Sequence, residues 1–327
     1  MTKSKKPQKQ LNPLAQANQL IRKKMAKLST IPDTEAPSVL YHYTSLAGLK
    51  GILGDKKMHA TRINYLNDPM ETTFGLRQCI EVLGHFVKEN ARPYIDFDKL
   101  ALETLHNRTP QNAYVVSFSS VPDGLLQWQM YADRGKGVSI GFSFEDLNDV
   151  VSEYLESELD SNQSESILVP DYMPIRIDYG TELQFGRLEE FWNTCRAAYE
   201  IVKDEPENSR RVHDSLCVRM LLGLASSHKQ EGFSGEQEWR FVTTISADFP
   251  HYTKFGEKDD LLIPYLEMPV SDRTHGEPPP IKKIVIGPAL NDPYIKDTLI
   301  LLLKSRGYGQ NGIKIPEVVE SNTVIRG

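Results

Sequence analysis

The chain has 327 residues, of which 39% are hydrophobic and 25% charged, with a net charge of -6. That length and apolar content suit a soluble globular protein of one large or two small domains, able to bury a sizeable core without disulfide staples. The acidic balance argues against a strong polyanion binder as a whole, and three cysteines without CxxC spacing (Cys79, Cys195 and Cys217) argue against a zinc site or a disulfide framework and fit a reducing cytoplasm.

Residues 1–32 carry eight Lys or Arg and no acidic residue. Within them, Leu14 to Leu28 can form a short basic helix. Residues 1–37 therefore read as a basic, flexible arm, either a solvated tail or a segment that touches nucleic acid or another anionic partner. No apolar stretch follows the lysines, so a secretory signal is not expected. No apolar run reaches the ~18 residues of a membrane-spanning helix, so no membrane partner is expected.

Order is expected from about Ser38, in a single domain over 38–327. Val39-Leu40-Tyr41-His42-Tyr43 reads as a strand. Ser45 is a candidate N-cap for a helix with Leu46, Leu49, Ile52 and Leu53 at helical spacing and Gly54 as its stop. A second strand covers Met58 to Thr61, and Asn67-Asp68-Pro69 is turn chemistry. Helical patterning covers Thr72 to Asn90 and Phe97 to His106. Ala113 to Ser119 is a strand, Leu125 to Ala132 a helix, Gly137 to Phe142 a strand and Phe144 to Leu155 an acidic helix. Pro174 to Tyr179 reads as a strand. Helices at Glu182 to Lys203 and Ser209 to Ser226 form a helical insertion over about 182–228. Glu236 to Thr244, Leu261 to Met268 and Ile281 to Ile286 are strands, and Asp292 to Ser305 is a helix. Strands and helices mix without regular βαβ alternation, which indicates the α+β class.

Three strands present polar residues on one face, because successive side chains alternate. His42 and Thr44 share a face opposite Tyr41 and Tyr43. Ser117 and Ser119 share one opposite Val116 and Phe118. Glu236, Glu238 and Arg240 share one opposite Gln237, Trp239 and Phe241. Each set has an ordinary explanation: a hydrogen-bonded histidine, strand-edge serines, a salt-bridge ladder on a solvated face. Side by side, they make a cleft suited to a charged, ribose-bearing ligand. Trp128 and Tyr131 share a helix face, as core packing or as an aromatic wall. Asp68 and Glu71 belong to a turn or line the cleft. Gly135-x-Gly137 precedes a strand rather than following one, so it is not a phosphate fingerprint. His59, His213, His228 and His275 lack ligand spacing, and no metal site is expected. No nucleophile elbow is found.

The run Tyr41-His42-Tyr43-Thr44 followed by Leu49-x-x-Ile52-Leu53 resembles the opening motif of ADP-ribosyltransferases, especially DNA-modifying toxins of toxin–antitoxin pairs. A wider pattern resembles a large bacterial family of uncharacterised domains. It comprises Tyr41 to Thr44, Asn67-Asp68-Pro69-x-Glu71, Ser117-Phe118-Ser119, Trp128-x-x-Tyr131-Ala132, Gly137-Val138-x-Ile140-Gly141-Phe142 and Glu236-x-Glu238-Trp239-Arg240. The resemblance implies a mixed, mainly antiparallel split sheet with flanking helices, and NAD as substrate.

By that resemblance His42 bonds a ribose or the diphosphate of NAD, with Tyr43 and Thr44 beside it. Ser117 and Ser119 shape the nicotinamide-ribose pocket, although the element reads Ser-Phe-Ser where the family has Ser-Thr-Ser. Glu238 bonds the ribose 2′-hydroxyl, Glu236 is the carboxylate two residues earlier, and Arg240 holds Glu238 or contacts a phosphate. The implied activity is transfer of ADP-ribose to a protein or nucleic-acid acceptor, as a toxin or phage-defence effector. Alternatives are an NAD glycohydrolase and a non-catalytic module that binds nucleotide or protein.

Overall fold

The structure, a computed structural model, describes residues 12–14, 16–17, 19–21, 24, 36–66, 75, 79, 113–161, 170–180, 185–207, 210, 213, 217, 221, 223–245, 252–258, 260–271 and 276–324. Asn67 to Glu71 and the helices expected between Thr72 and His106 lie outside the described residues, Gly75 and Cys79 excepted.

The first strand, β1 (Val39–Thr44), leads into helix α1 (Leu46–Asp55). Ser45 caps that helix by accepting from the Gly48 amide at 3.1 Å. The helix does not stop at Gly54. It ends at Lys56, which takes the left-handed conformation (φ 54°) and donates its amide to the Ile52 carbonyl. There follow β2 (Lys57–Arg62), β3 (Ala113–Ser119), α2 (Leu125–Tyr131), β4 (Val138–Ser143), α3 (Phe144–Ser161) and β5 (Met173–Arg176). Then come β6 (Asp178–Tyr179), α4 (Phe185–Val202), β7 (His228–Lys229) and β8 (Glu238–Thr244). The chain continues through β9 (Lys254–Lys258), β10 (Leu261–Pro269), β11 (Ile281–Ile286), α5 (Ile295–Ser305) and β12 (Glu317–Glu320).

This is a mixed α+β architecture with a mostly antiparallel open sheet and several helices. Among the described residues ten strands form the sheet. The path runs β12-β11-β4-β1-β3-β2-β10-β9, and β8 joins β3 to β5 off it. Among the described residues only the β11–β12 pair in it is parallel.

The sheet forks at β3. One edge of β3 pairs with β8 over its whole length, from Ala113↔Thr244 to Ser119↔Glu238. The other edge is divided: Ser119 pairs with Tyr41 of β1, while Val115 and Tyr114 pair with Thr61 and Arg62 of β2. Val116, Ser117 and Phe118 therefore face the opening between β1 and β2.

Two sequence expectations are corrected here. The strand expected over Pro174 to Tyr179 is two short strands in different sheets: β5 pairs with β8, and β6 pairs in parallel with β7. The strand expected from Glu236 begins at Glu238. Residues Glu231–Glu236 form a 3₁₀ turn, and Gln237 closes it in the left-handed region (φ 43°), which turns Glu236 out of the strand.

The main core lies on the face of the sheet that carries Leu40, Val116, Phe118, Ile140, Trp239 and Phe241, all buried. A second core belongs to the helical insertion between β6 and β7, built on Leu188, Phe191, Trp192, Cys195 and Ala198 of α4 with Cys217 and Leu221. Ala17 and Ile21, from the segment expected to be a flexible arm, are fully buried in this second core. The described part of that segment is therefore packed, because its apolar residues recur at helical spacing and have a surface to cover.

Candidate functional site

The register puts Ser117 opposite Arg240 and Ser119 opposite both Glu238 and Tyr41. Directly opposed residues of an antiparallel pair share a face. Ser117, Ser119, Glu238, Arg240, Tyr41 and Tyr43 thus lie on one side of the sheet. His42 is on the other side by alternation, beside the Phe118 ring at 5.7 Å between centroids. It reaches the site through the fork, where its Nδ1 lies 2.9 Å from the Ser117 carbonyl oxygen. A carbonyl only accepts, so Nδ1 carries the proton and Nε2 holds the lone pair. Burial lowers the pKa of this half-buried histidine, and the hydrogen bond to Ser117 offsets that only in part, which keeps the imidazole neutral.

Glu238 is the centre of a buried ion cluster. Arg240 grips it bidentately, Nε to Oε1 at 2.7 Å and an Nη to Oε2 at 3.0 Å. Lys229 Nζ lies 2.8 Å from Glu238 Oε2 and 2.6 Å from Glu236 Oε2. Burial alone would raise the Glu238 carboxyl, but Arg240 and then Lys229 outweigh it and hold the group down at about 2. Two carboxylates and two cations balance in charge, which is the condition for burying any of them. Arg240 also donates to the Ser226 carbonyl at 2.9 Å. Tyr131 donates its hydroxyl to Glu236 Oε1 at 3.0 Å, and the Tyr179 hydroxyl accepts from the Glu238 amide at 2.8 Å. The solvated salt-bridge ladder expected of Glu236, Glu238 and Arg240 is thus a desolvated cluster, with Glu236 delivered from the 3₁₀ turn rather than from the strand.

Two cavities meet at this cluster. One of about 80 Å³ is lined by Tyr41, His42, Tyr43, Ser117, Phe118, Ser119, Gln127, Tyr131, Glu236 and Glu238. The other, about 220 Å³, extends along β2 and adds His59, Thr61, Tyr65, Lys229, Arg240 and Ile263. His42, Ser117, Tyr131 and Glu238 line both. Together they approach the low end of small-molecule sites, roughly 300 Å³. A wider cleft of about 490 Å³ also reaches Glu238, past Ser120, Arg176, Tyr179, Ser234 and Gln237.

Not all the expected residues point into this space with a free group. Tyr43 spends its hydroxyl on the 121–124 loop, donating to the Val121 carbonyl at 2.8 Å and accepting from the Gly124 amide at 2.9 Å. Ser119 likewise donates to the Glu236 carbonyl at 2.7 Å and accepts from the Val121 amide at 3.0 Å, so it braces the turn before β8. Thr44 lines neither cavity; its side chain fills the space beside Gly48.

Sequence reasoning missed Lys229, Tyr179 and Gln127. Lys229 and Tyr179 sit on strands of two residues, too short to show a period. Gln127 Nε2 donates to the Glu236 carbonyl at 2.9 Å. The pair Trp128 and Tyr131 divides between both of its expected roles: Trp128 is buried edge-on against Tyr43, while Tyr131 lines the two cavities. His59 stacks on Tyr265 with centroids 3.8 Å apart at the far end of the larger cavity. Among the described residues no three His, Cys, Asp or Glu are placed to hold a metal ion, and no helix is long and apolar enough to cross a membrane.

No curated protein and no solved structure matches the chain. A family model does match in part, over residues 127–241, and its description is Protein of unknown function (DUF2971). The matched stretch runs from α2 into β8, so it takes in Tyr131, Lys229, Glu236, Glu238 and Arg240 and leaves out His42 and Ser117, and it supports an uncharacterised domain family for this part of the chain.

Proposed function

We propose that the forked cleft binds the nicotinamide-ribose half of NAD and that the protein transfers ADP-ribose to a protein or nucleic-acid acceptor. The observation that carries this reading is the convergence of His42, Ser117 and Glu238, from three neighbouring strands, on the same two cavities. In the reaction the bond between the ribose C1′ and the nicotinamide nitrogen breaks, and nicotinamide leaves with the electron pair. The acceptor's nucleophile then bonds to C1′ and gives up a proton. Positive charge builds on the sugar meanwhile, as in glycoside cleavage. Glu238, held ionised beside that carbon, stabilises the charge. The neutral His42 accepts a hydrogen bond from a ribose hydroxyl at Nε2, and the acceptor approaches Glu238 through the wider cleft past Gln237. Water in the acceptor's place would make the protein an NAD glycohydrolase. The resemblance to toxins extends the reading to growth arrest or phage defence, by analogy alone.

One observation favours a second reading, a non-catalytic nucleotide-binding module: both oxygens of Glu238 already bond to Arg240 and Lys229. Incubation with NAD labelled in the adenylate half separates the readings. Label on a macromolecule, lost in E238Q while the variant stays folded, supports transfer. Free nicotinamide without labelled macromolecule supports hydrolysis. Saturable NAD binding without turnover supports the module. Neither binding nor turnover, or full turnover by folded E238Q, overturns the proposal.

A further inference from the structure

The helical insertion interrupts the chain between β6 and β7, whose ends are pinned side by side by the pairs Asp178↔His228 and Tyr179↔Lys229. Both residues of the second pair reach Glu238. Tyr179 accepts its amide, and Lys229 bonds its carboxylate while also bonding Glu236. Lys229 is 3% exposed, and its ammonium lies 5.3 Å from the centre of the Phe233 ring. A lysine so thoroughly buried requires strong compensation, and two carboxylates brought within 3 Å of one ammonium require it equally.

We propose that Lys229 is the positioning residue of the candidate site: its ammonium allows Glu236 and Glu238 to be ionised side by side, and the ribbon β6–β7 fixes it there. This rests on the reading of Glu238 as the charge-stabilising group, and it adds a residue that no motif contains. Arg240 on β8, Lys229 on β7 and the hydroxyl of Tyr131 on α2 bond the two carboxylates, the Tyr179 hydroxyl on β6 accepts from the Glu238 amide, and the neutral His42 lines the same cavities. Arg240 bonds Glu238 and the Ser226 carbonyl, whereas Lys229 bonds both carboxylates. Without Lys229, therefore, two like charges would share a buried space with a single cation, and one of them would take up a proton.

Carboxyl titration in K229M and K229R, followed by NMR of protein carrying ¹³Cδ-labelled glutamate, tests this without any substrate. K229M is expected to raise the midpoint of the Glu238 carboxyl above its wild-type value, and K229R to keep it low. A K229M spectrum that titrates like the wild type overturns the proposal. If K229M does not fold, the double variant K229M/E236Q decides. It removes one charge of each sign, so folding with Glu238 still ionised supports the proposal, and failure to fold places the role of Lys229 in packing and overturns it. Where the wild type turns over NAD, the acid limb of the pH profile moves up by about one pH unit or more in K229M and returns in K229R. A wild type inert toward NAD leaves the carboxyl titration intact, so failure of the enzymatic reading and failure of the Lys229 assignment are distinguishable.

Discussion

The Nδ1–H of His42 donates to the carbonyl of Ser117 across the fork in the sheet, at 2.9 Å. Ser117 lies on the part of β3 that neither β1 nor β2 pairs, so its carbonyl faces the opening without a ladder partner. One side chain thus satisfies the exposed edge and presents Nε2 to the cavity.

Removing that bond leaves a partly buried acceptor unpaired, which costs about 1 kcal/mol. H42A should unfold at correspondingly lower denaturant concentration. The histidine also makes stability depend on pH. Its folded pKa lies below the ordinary 6.5, so its contribution is complete above that value and is lost as pH falls toward the folded pKa. ¹⁵N spectra of wild-type protein at pH 7 should show a neutral ring protonated at Nδ1. A charged imidazolium at that pH would refute the assignment.

Glu238 sets a second pH window. Its folded pKa is about 2 against an ordinary 4.5, so the stabilisation is fully present above 4.5 and disappears as pH falls through 2. Acid unfolding should be steep across that interval. E238Q leaves Arg240 and Lys229 with too little compensation and should destabilise the fold by about 3–5 kcal/mol at pH 7. It should also flatten the acid limb of the stability curve. An E238Q protein as stable as wild type and as steep in acid would contradict the ion cluster.

Gly137 explains a motif position. A Cβ there would lie 2.1 Å from the Thr44 carbonyl oxygen and 3.0 Å from that of Ala132, both backbone atoms that cannot swing away. G137A should therefore separate the end of β1 from the start of β4 and cost about 1–3 kcal/mol. Thermal unfolding of G137A beside G186A, where nothing stands within 4 Å, isolates the steric effect.

Ile21 is fully buried among Leu188, Phe191 and Trp192. I21A should cost about 2–5 kcal/mol in the insertion. Deleting residues 1–32 should bare the same surface and shift Trp192 fluorescence to the red. Binding to nucleic acid by wild type, with strong salt dependence lost on deletion, would show that the same segment also acts as a basic arm.

Periodicity made much of the fold legible. Helix α1 with its Ser45 cap, β3 from Ala113 to Ser119 and β11 from Ile281 to Ile286 stand where patterning puts them, because burial on one face writes a period into the chain. Short or exposed elements carry no such mark. β9, β12 and the ribbon β6–β7 were not legible as strands of their own, since their stability comes from the neighbour each strand meets. The left-handed turn at Gln237 was hidden too, in a position that alternation alone would extend as strand.

The three polar segments around His42, Ser117 and Glu238 were visible in the sequence as residue types in alternation. Tertiary structure decided their meaning. It set Ser117 beside Arg240 by register, brought His42 through the fork from the opposite face, and turned a possible surface ladder into a desolvated cluster closed by Lys229. Alternation is local and fixes which way a side chain points. Which charge it meets there depends on strands joined across long stretches of chain, and the strength of that meeting depends on how completely water is excluded.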